Sequence, residues 1–185
     1  MAVNAYALTS LVNVKAALHI TTTDDDTLLE NLINRISAAV ESYCRRKFKA
    51  RDYTEKYDGD GTSVLYLKQY PVNSVSSLKI GTGTVNSSDY VLYKEEGKIR
   101  LKYSVFPEGI QNVEVAYNAG YQDGSSELDA LEQIVINEIQ AHYLAGQTDI
   151  VSPEGEGEIP DKKVFLTEEA RRWLQPFVRR DVYGC

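Results

Sequence analysis

Val113-Glu114-Val115-Ala116-Tyr117-Asn118-Ala119-Gly120-Tyr121 is the stretch on which the reading of this chain turns. Val113, Val115 and Tyr117 alternate with shorter or polar residues, the period-two pattern of a strand with one buried face. Gly120 marks the stop, because glycine alone takes left-handed backbone angles freely. An acidic turn and a long amphipathic segment follow at once. No nucleophile, metal cluster or phosphate cradle lies nearby, so the stretch reads as architecture.

Upstream, from Tyr53 to Tyr117, short alternating runs are separated by turn signals. The runs are Ser63 to Leu67, Ser74 to Ile80, Tyr90 to Tyr93, Lys98 to Leu101 and Val113 to Tyr117. Between them stand Asp58-Gly59-Asp60-Gly61, Gly81-Thr82-Gly83, Glu96-Gly97 and Pro107-Glu108-Gly109. Most of the tyrosines fall here, as strand propensity favours. The pattern predicts a small antiparallel β-domain over residues 51–120, inserted between helices.

The flanking segments have helical spacing. Residues 9–20 place Leu11, Val14 and Leu18 on one side. A break at Thr21 to Asp26 follows, where Thr23 or Asp24 is expected to cap a helix running to about Lys47. Its expected buried row is Leu28, Leu32, Ile36 and Val40, with Leu29, Ile33 and Tyr43 beside it. Helix returns at Ser125 or Ser126 and runs to about Leu144, with Leu128, Leu131, Val135, Ile139 and Tyr143 on one face. That stripe is broader than two short N-terminal helices need, so Leu131, Val135, Ile139 and Tyr143 are expected to meet a sister subunit. Gly146 to Pro160 reads as a polar loop. Thr167 then caps a final helix bearing Leu166, Ala170, Trp173, Leu174 and Phe177, flanked by Arg171, Arg172, Arg179 and Arg180. The fold class is therefore α+β: a small three-helix bundle core, residues 1–50 and 121–160, with the inserted β-domain and a C-terminal helix and tail, residues 161–185.

Bulk properties agree with an ordinary globular protein of one domain or one domain with an insert. The chain has 185 residues, 43% of them hydrophobic and 25% charged. No apolar run approaches the ~18 residues that span a bilayer, and no basic-then-apolar leader opens the chain, so synthesis in a cytoplasm is expected. Cys44 and Cys185 do not make a disulfide framework. Charge is uneven: residues 121–160 carry nine acids and no Lys or Arg within a net charge of −7. Such a block does not grip DNA, whose affinity comes from neutralised phosphates. The basic run Arg45 to Arg51, with Phe48 inside it, is the best nucleic-acid candidate, yet cations also suit a helix C-terminus, and a cap or subunit contact ranks above DNA.

Catalytic and metal signals are weak throughout. Asp24-Asp25-Asp26 and the Asp58 to Gly61 turn lack the spacing of a calcium loop. His19 and His142 both fall at helix ends, where packing explains them. No serine sits in a Gly-x-Ser-x-Gly elbow, and no glycine-rich phosphate loop is complete. No enzyme, no metal and no cofactor is expected.

Tyr117-x-Ala119-Gly120-Tyr121 ahead of a helix resembles a hallmark of the head–tail connector (adaptor, head-completion) proteins of tailed bacteriophages. The resemblance covers most of the chain. It includes the first helix Leu11 to Leu18 with the Asp-rich turn Thr23 to Asp26, then the pattern Leu28-Leu29-x-x-Leu32-Ile33-x-x-Ile36. Tyr70-Pro71-Val72-Asn73-Ser74-Val75 is similar to a segment of the variants with a β-insert, and Ala170 to Phe177 looks like the family's last helix.

The resemblance implies a virion protein made in the host bacterial cytoplasm and placed at the head–tail interface. It implies a homo-oligomeric ring, typically dodecameric, beneath the portal protein. A tail-completion (stopper) or tail-tube terminator protein is implied on the other side, with DNA passing through the lumen without specific binding. Residues 161–185 become the expected portal-docking element, with Trp173 as buried anchor beside Leu174, Phe177, Arg171, Arg172, Arg179 and Arg180. Glu132, Glu138, Asp149 and Glu154 become candidate channel-facing acids, although a solvated face explains them equally well. The rival reading is a carbohydrate- or host-surface-binding β-module, which would show clustered, exposed aromatics on one sheet face. A hydrolase is a third and weaker option.

Overall fold

A computed structural model describes residues 2–148 and 166–179. The chain divides into two compact units: Met1–Arg46 with Gly124–Arg180, and Lys47–Asp123.

The first unit is helical. Helix α1 is Leu11–Leu18, α2 is Asp26–Cys44, α3 is Ser126–Thr148 and α4 is Glu168–Leu174. Hydroxyls cap three of them: Ser10 accepts from the Asn13 amide, Ser125 from Leu128 and Thr167 from Ala170. The α2 start differs from expectation. Its cap is Asp25, which makes no side-chain capping bond. The Asp25 carboxylate instead accepts from the Tyr143 hydroxyl of α3 at 2.6 Å, and Asp26 pairs with Lys15 of α1 at 2.5 Å. These acids tie three helices together, a long-range use that displaces the local one.

The buried row of α2 is Leu29, Ile33, Ile36, Val40 and Cys44, one position round from the row expected, and Leu28 stands exposed. Leu131, Val135 and Ile139 of α3, with Leu128 at its start, fill the same core, as do Val14 of α1 and Leu166, Ala170 and Leu174 around α4. Burial of a large aliphatic side chain contributes about 1.5–3 kcal/mol, so these rows hold the bundle.

The second unit is β. Strands β1 (Arg51–Gly59), β2 (Val64–Tyr66), β3 (Val72–Ile80), β4 (Gly83–Thr84), β5 (Tyr90–Tyr93), β6 (Lys98–Leu101) and β7 (Gly109–Ala119) form two sheets, ordered β1-β7-β3-β4 and β2-β6-β5. All their pairings are antiparallel. The centre of the larger sheet is β7, the strand that contains Val113 to Ala119. Its inward Val113, Val115 and Tyr117 lie opposite Tyr57, Glu55 and Tyr53 of β1. Gly120 ends it at φ 115, where an added Cβ would come within 2.7 Å of the Phe48 and Lys49 backbone, so glycine is required by space as well as by angle.

Strand β1 was not among the expected runs, because charged residues break its apolar alternation. Glu55 occupies an inward position, where its carboxylate accepts from the hydroxyls of both Tyr57 and Tyr117, the latter at 2.6 Å. The Tyr53 and Tyr117 rings stack with centroids 5.4 Å apart. In the smaller sheet Leu65, Ile99 and Leu92 are aligned, as are Tyr66, Lys98 and Tyr93 one residue along. Leu65, Ile99 and Leu101 join Phe106 in the core of the β unit.

Candidate interaction surfaces

Helix α4 is not a projecting arm. Leu166, Ala170 and Leu174, four residues apart, make a single apolar row that the helical unit buries. Thr167 locks its start: the backbone amide donates to Glu138 at 3.2 Å and the hydroxyl donates to the same carboxylate. Past its end, a 3₁₀ turn at Gln175–Phe177 carries Pro176, the Gln175 amide donates to the Tyr43 hydroxyl at 2.7 Å, and the Arg179 amide donates to the Cys44 carbonyl at 2.9 Å.

Leu174 is thus a core residue and not a docking residue. Trp173 lies about 100° round the helix from it and is 62% exposed, the reverse of the buried position open to it if the helix merely packed on the core. Arg171 and Arg172 are exposed beside it, Phe177 and Arg179 are half-buried, and Arg180 lies outside the described residues. A shallow groove between α3 and α4 is lined by Ile134, Asn137, Ala141, Glu169 and Trp173.

The acids are distributed differently from expectation. Glu138 is 3% exposed and serves α4, with His142 Nε2 3.9 Å away, so it faces no channel. Glu132 is half-buried and accepts from the Thr9 hydroxyl at 2.8 Å and the Asn13 amide at 2.7 Å, which fixes α1 to α3. Asp149 and Glu154 lie outside the described residues. Leu131, Val135 and Ile139 are wholly buried in their own unit, and Tyr143 is half-buried against α2, so this face does not meet a sister subunit. The cover comes from α1 and α2 together with α4, the helix expected to reach away from the bundle, whose row Leu166, Ala170 and Leu174 is buried.

The basic run is broken up as well. Arg45 ends α2 in a left-handed conformation at φ 53, and Arg46 and Phe48 are buried, so no continuous cationic stripe faces outward. Among the described residues no group of His, Cys, Asp and Glu is placed to hold a metal ion, and no helix is long and apolar enough to cross a membrane. Burial pushes the Cys44 thiol up to about 11, against the opposing pull of Arg46.

The surface that the sequence left without a role is the outward side of the smaller sheet. Val64, Arg100 and Val91 stand in one row and Tyr66, Lys98 and Tyr93 in the next. Tyr103, 88% exposed, and Val105 border them. The signal was present in Tyr90 to Tyr93, where Tyr90 and Leu92 take one face and Val91 and Tyr93 the other, so this strand lacks the polar face a solvated sheet needs.

Three solved structures share the fold over nearly their whole length. The neck of an empty gene transfer agent particle, computed with C6 symmetry, is 18% identical at a TM-score of 0.59, covering 94% of this chain and 93% of that chain. The neck of the native particle, computed with C12 symmetry, is 19% identical at 0.55, with coverage of 94% and 93%. The virion of the native particle is 18% identical at 0.54, with coverage of 94% and 92%. No curated protein matches the chain. The family model described as Head completion protein matches residues 7–144. That match runs from the segment before α1 through the β unit and most of α3, and the chain therefore belongs to the head completion protein family, structural virion proteins of the head–tail connector class and not enzymes.

Proposed function

We propose that this head completion protein is one subunit of a homo-oligomeric ring, dodecameric in the complete particle, that seats beneath the portal and joins it to the tail. The neck structures with C6 and C12 symmetry support a ring, because both units of this chain have counterparts in them. A tail-completion or tail-tube protein takes the opposite side. Duplex DNA passes through the lumen without specific binding, which suits a chain of net charge −7 whose basic run at Arg45 to Arg51 is broken up by the burial of Arg46 and Phe48. Neither Glu132 nor Glu138 is free to line the lumen, since each is committed inside its own unit.

The portal contact is made by the outer side of α4 while the helix stays on its own bundle. The carrying observation is Trp173, the chain's one tryptophan, held 62% exposed on a helix whose adjacent row is buried, with Arg171 and Arg172 beside it. Burying a large aromatic in a partner's pocket and pairing arginines around it is how interface hot spots are built. Removing α4 altogether would uncover the core, so truncation is the wrong test. In portal co-sedimentation, Trp173→Ala should weaken binding about thirtyfold, the equivalent of ~2 kcal/mol, while melting temperature changes little. Unchanged portal binding by a folded Trp173→Ala protein would remove α4 from the contact.

A further inference from the structure

Since the apolar face of α3 is used inside its own unit, ring closure has to employ other surfaces. A head-to-tail ring needs two different patches on one chain that fit each other. We propose that the outward face of the β2-β6-β5 sheet receives the outer face of α3 from the next copy in the ring, with Arg100 meeting Asp129. This rests on the ring reading above.

The sheet face is a hollow bounded by Val91, Tyr93, Arg100, Lys102, Tyr103 and Val105. Tyrosines and a guanidinium set together and turned to water have the composition of a protein interface centre. The cations are not equivalent. Lys98 is paired with Glu96 and lies over the Tyr93 ring at 4.2 Å, and the Lys102 amine donates to the Ser88 carbonyl at 2.6 Å. Among the described residues the Arg100 guanidinium alone of these three has no such partner. One uncommitted cation is too little to hold a polyanion, which requires several neutralised phosphates. It suits a protein surface that brings one carboxylate and flat, small side chains for the tyrosines to lie against.

Helix α3 offers that surface. No Lys or Arg occurs between residues 121 and 160. Of its acids, Glu132 is held by Thr9 and Asn13, Glu138 is buried, and Glu127 accepts from Ser126 at 3.1 Å. The Asp129 backbone amide donates to the Ser125 carbonyl at 3.1 Å, but its carboxylate is exposed and makes no hydrogen bond or ion pair among the described residues. The exposed residues that follow it round the outer side are Ala130, Gln133, Asn137 and Ala141, small or uncharged. The two patches are thus matched in charge, and among the described residues neither the Arg100 guanidinium nor the Asp129 carboxylate has an ionic partner.

The test uses the full chain assembled with portal and imaged by electron microscopy. Arg100→Asp or Asp129→Arg alone should raise the concentration needed for rings about tenfold or more, and the double exchange should recover most of that loss. Normal rings from either folded single variant, or a double variant no better than the singles, would overturn the contact and leave the ring reading standing. Absence of rings from the unaltered chain would overturn both. Should a charge variant fail to fold, a photo-crosslinking phenylalanine analogue at position 103 decides the matter. Cross-links in assembled rings should map to residues 126–141 of another copy. Cross-links to portal or to a different region would overturn the proposal. The same holds if Tyr103→Ala lost binding to duplex DNA or a glycan while rings formed normally.

Discussion

The hydroxyl of Thr167 donates to the carboxylate of Glu138, a residue 29 positions earlier in the chain and 3% exposed. The same Thr167 oxygen accepts from the Ala170 amide at 3.2 Å, so one side chain both caps α4 and fastens it to α3. This pair sets where Trp173 is presented, because α4 has only seven residues and cannot hold itself in place.

Glu138→Ala would leave the Thr167 amide and hydroxyl without their acceptor in a half-buried site. The expected cost is about 1–3 kcal/mol in denaturant unfolding, with Glu138→Gln closer to the original because its amide oxygen still accepts. Hydrogen exchange should show the loss first in residues 168–174. Equal stability of the alanine variant would mean that α4 is held by its apolar row alone.

Alkaline pH should act through the β unit. Burial first, and the hydrogen bond to Glu55 second, raise the ionisation of Tyr57 and Tyr117 well above the ordinary tyrosine value of about 10. The folded state keeps these protons when the unfolded chain releases them. Stability is therefore unaffected below about pH 9 and falls as pH rises beyond 10. In an absorbance titration, two of the 13 tyrosines should ionise only together with unfolding. Full and reversible titration of every tyrosine in the folded protein would contradict this.

Cys44 should be chemically silent. It is fully buried at the end of α2 and its thiol is pushed up to about 11, so little thiolate exists at pH 8. In a Cys185→Ser background, dithiobis(nitrobenzoate) should find no reactive thiol until denaturant is added. Prompt labelling of the native protein would mean that the end of α2 opens readily.

The strand at Val113 to Tyr117 and the stop at Gly120 were legible in the sequence because a central strand obeys the pleat and a crowded turn admits only glycine. Helices α1 to α4 were legible from three- and four-residue spacings, and α3 and α4 also from their hydroxyl caps Ser125 and Thr167, whereas the start of α2 carries no such cap. Strand β1 was not, since Glu55 is inward and is compensated by tyrosines 2 and 62 positions away, which no local pattern reveals. The roles of Glu132 and Glu138 were missed for the same reason. A carboxylate bound by distant donors looks, in sequence, like a solvated one. Leu131, Val135 and Ile139 were read as apolar correctly, but which molecule covers an apolar stripe depends on the tertiary packing of α2 and α4.

The central claim, that this head completion protein works as a ring under the portal, is tested most directly by electron microscopy of the purified chain mixed with portal. The account predicts symmetric rings, one face against the portal, with a central opening wide enough for duplex DNA. A chain that remains monomeric, or forms a closed dimer unchanged by portal, would contradict it.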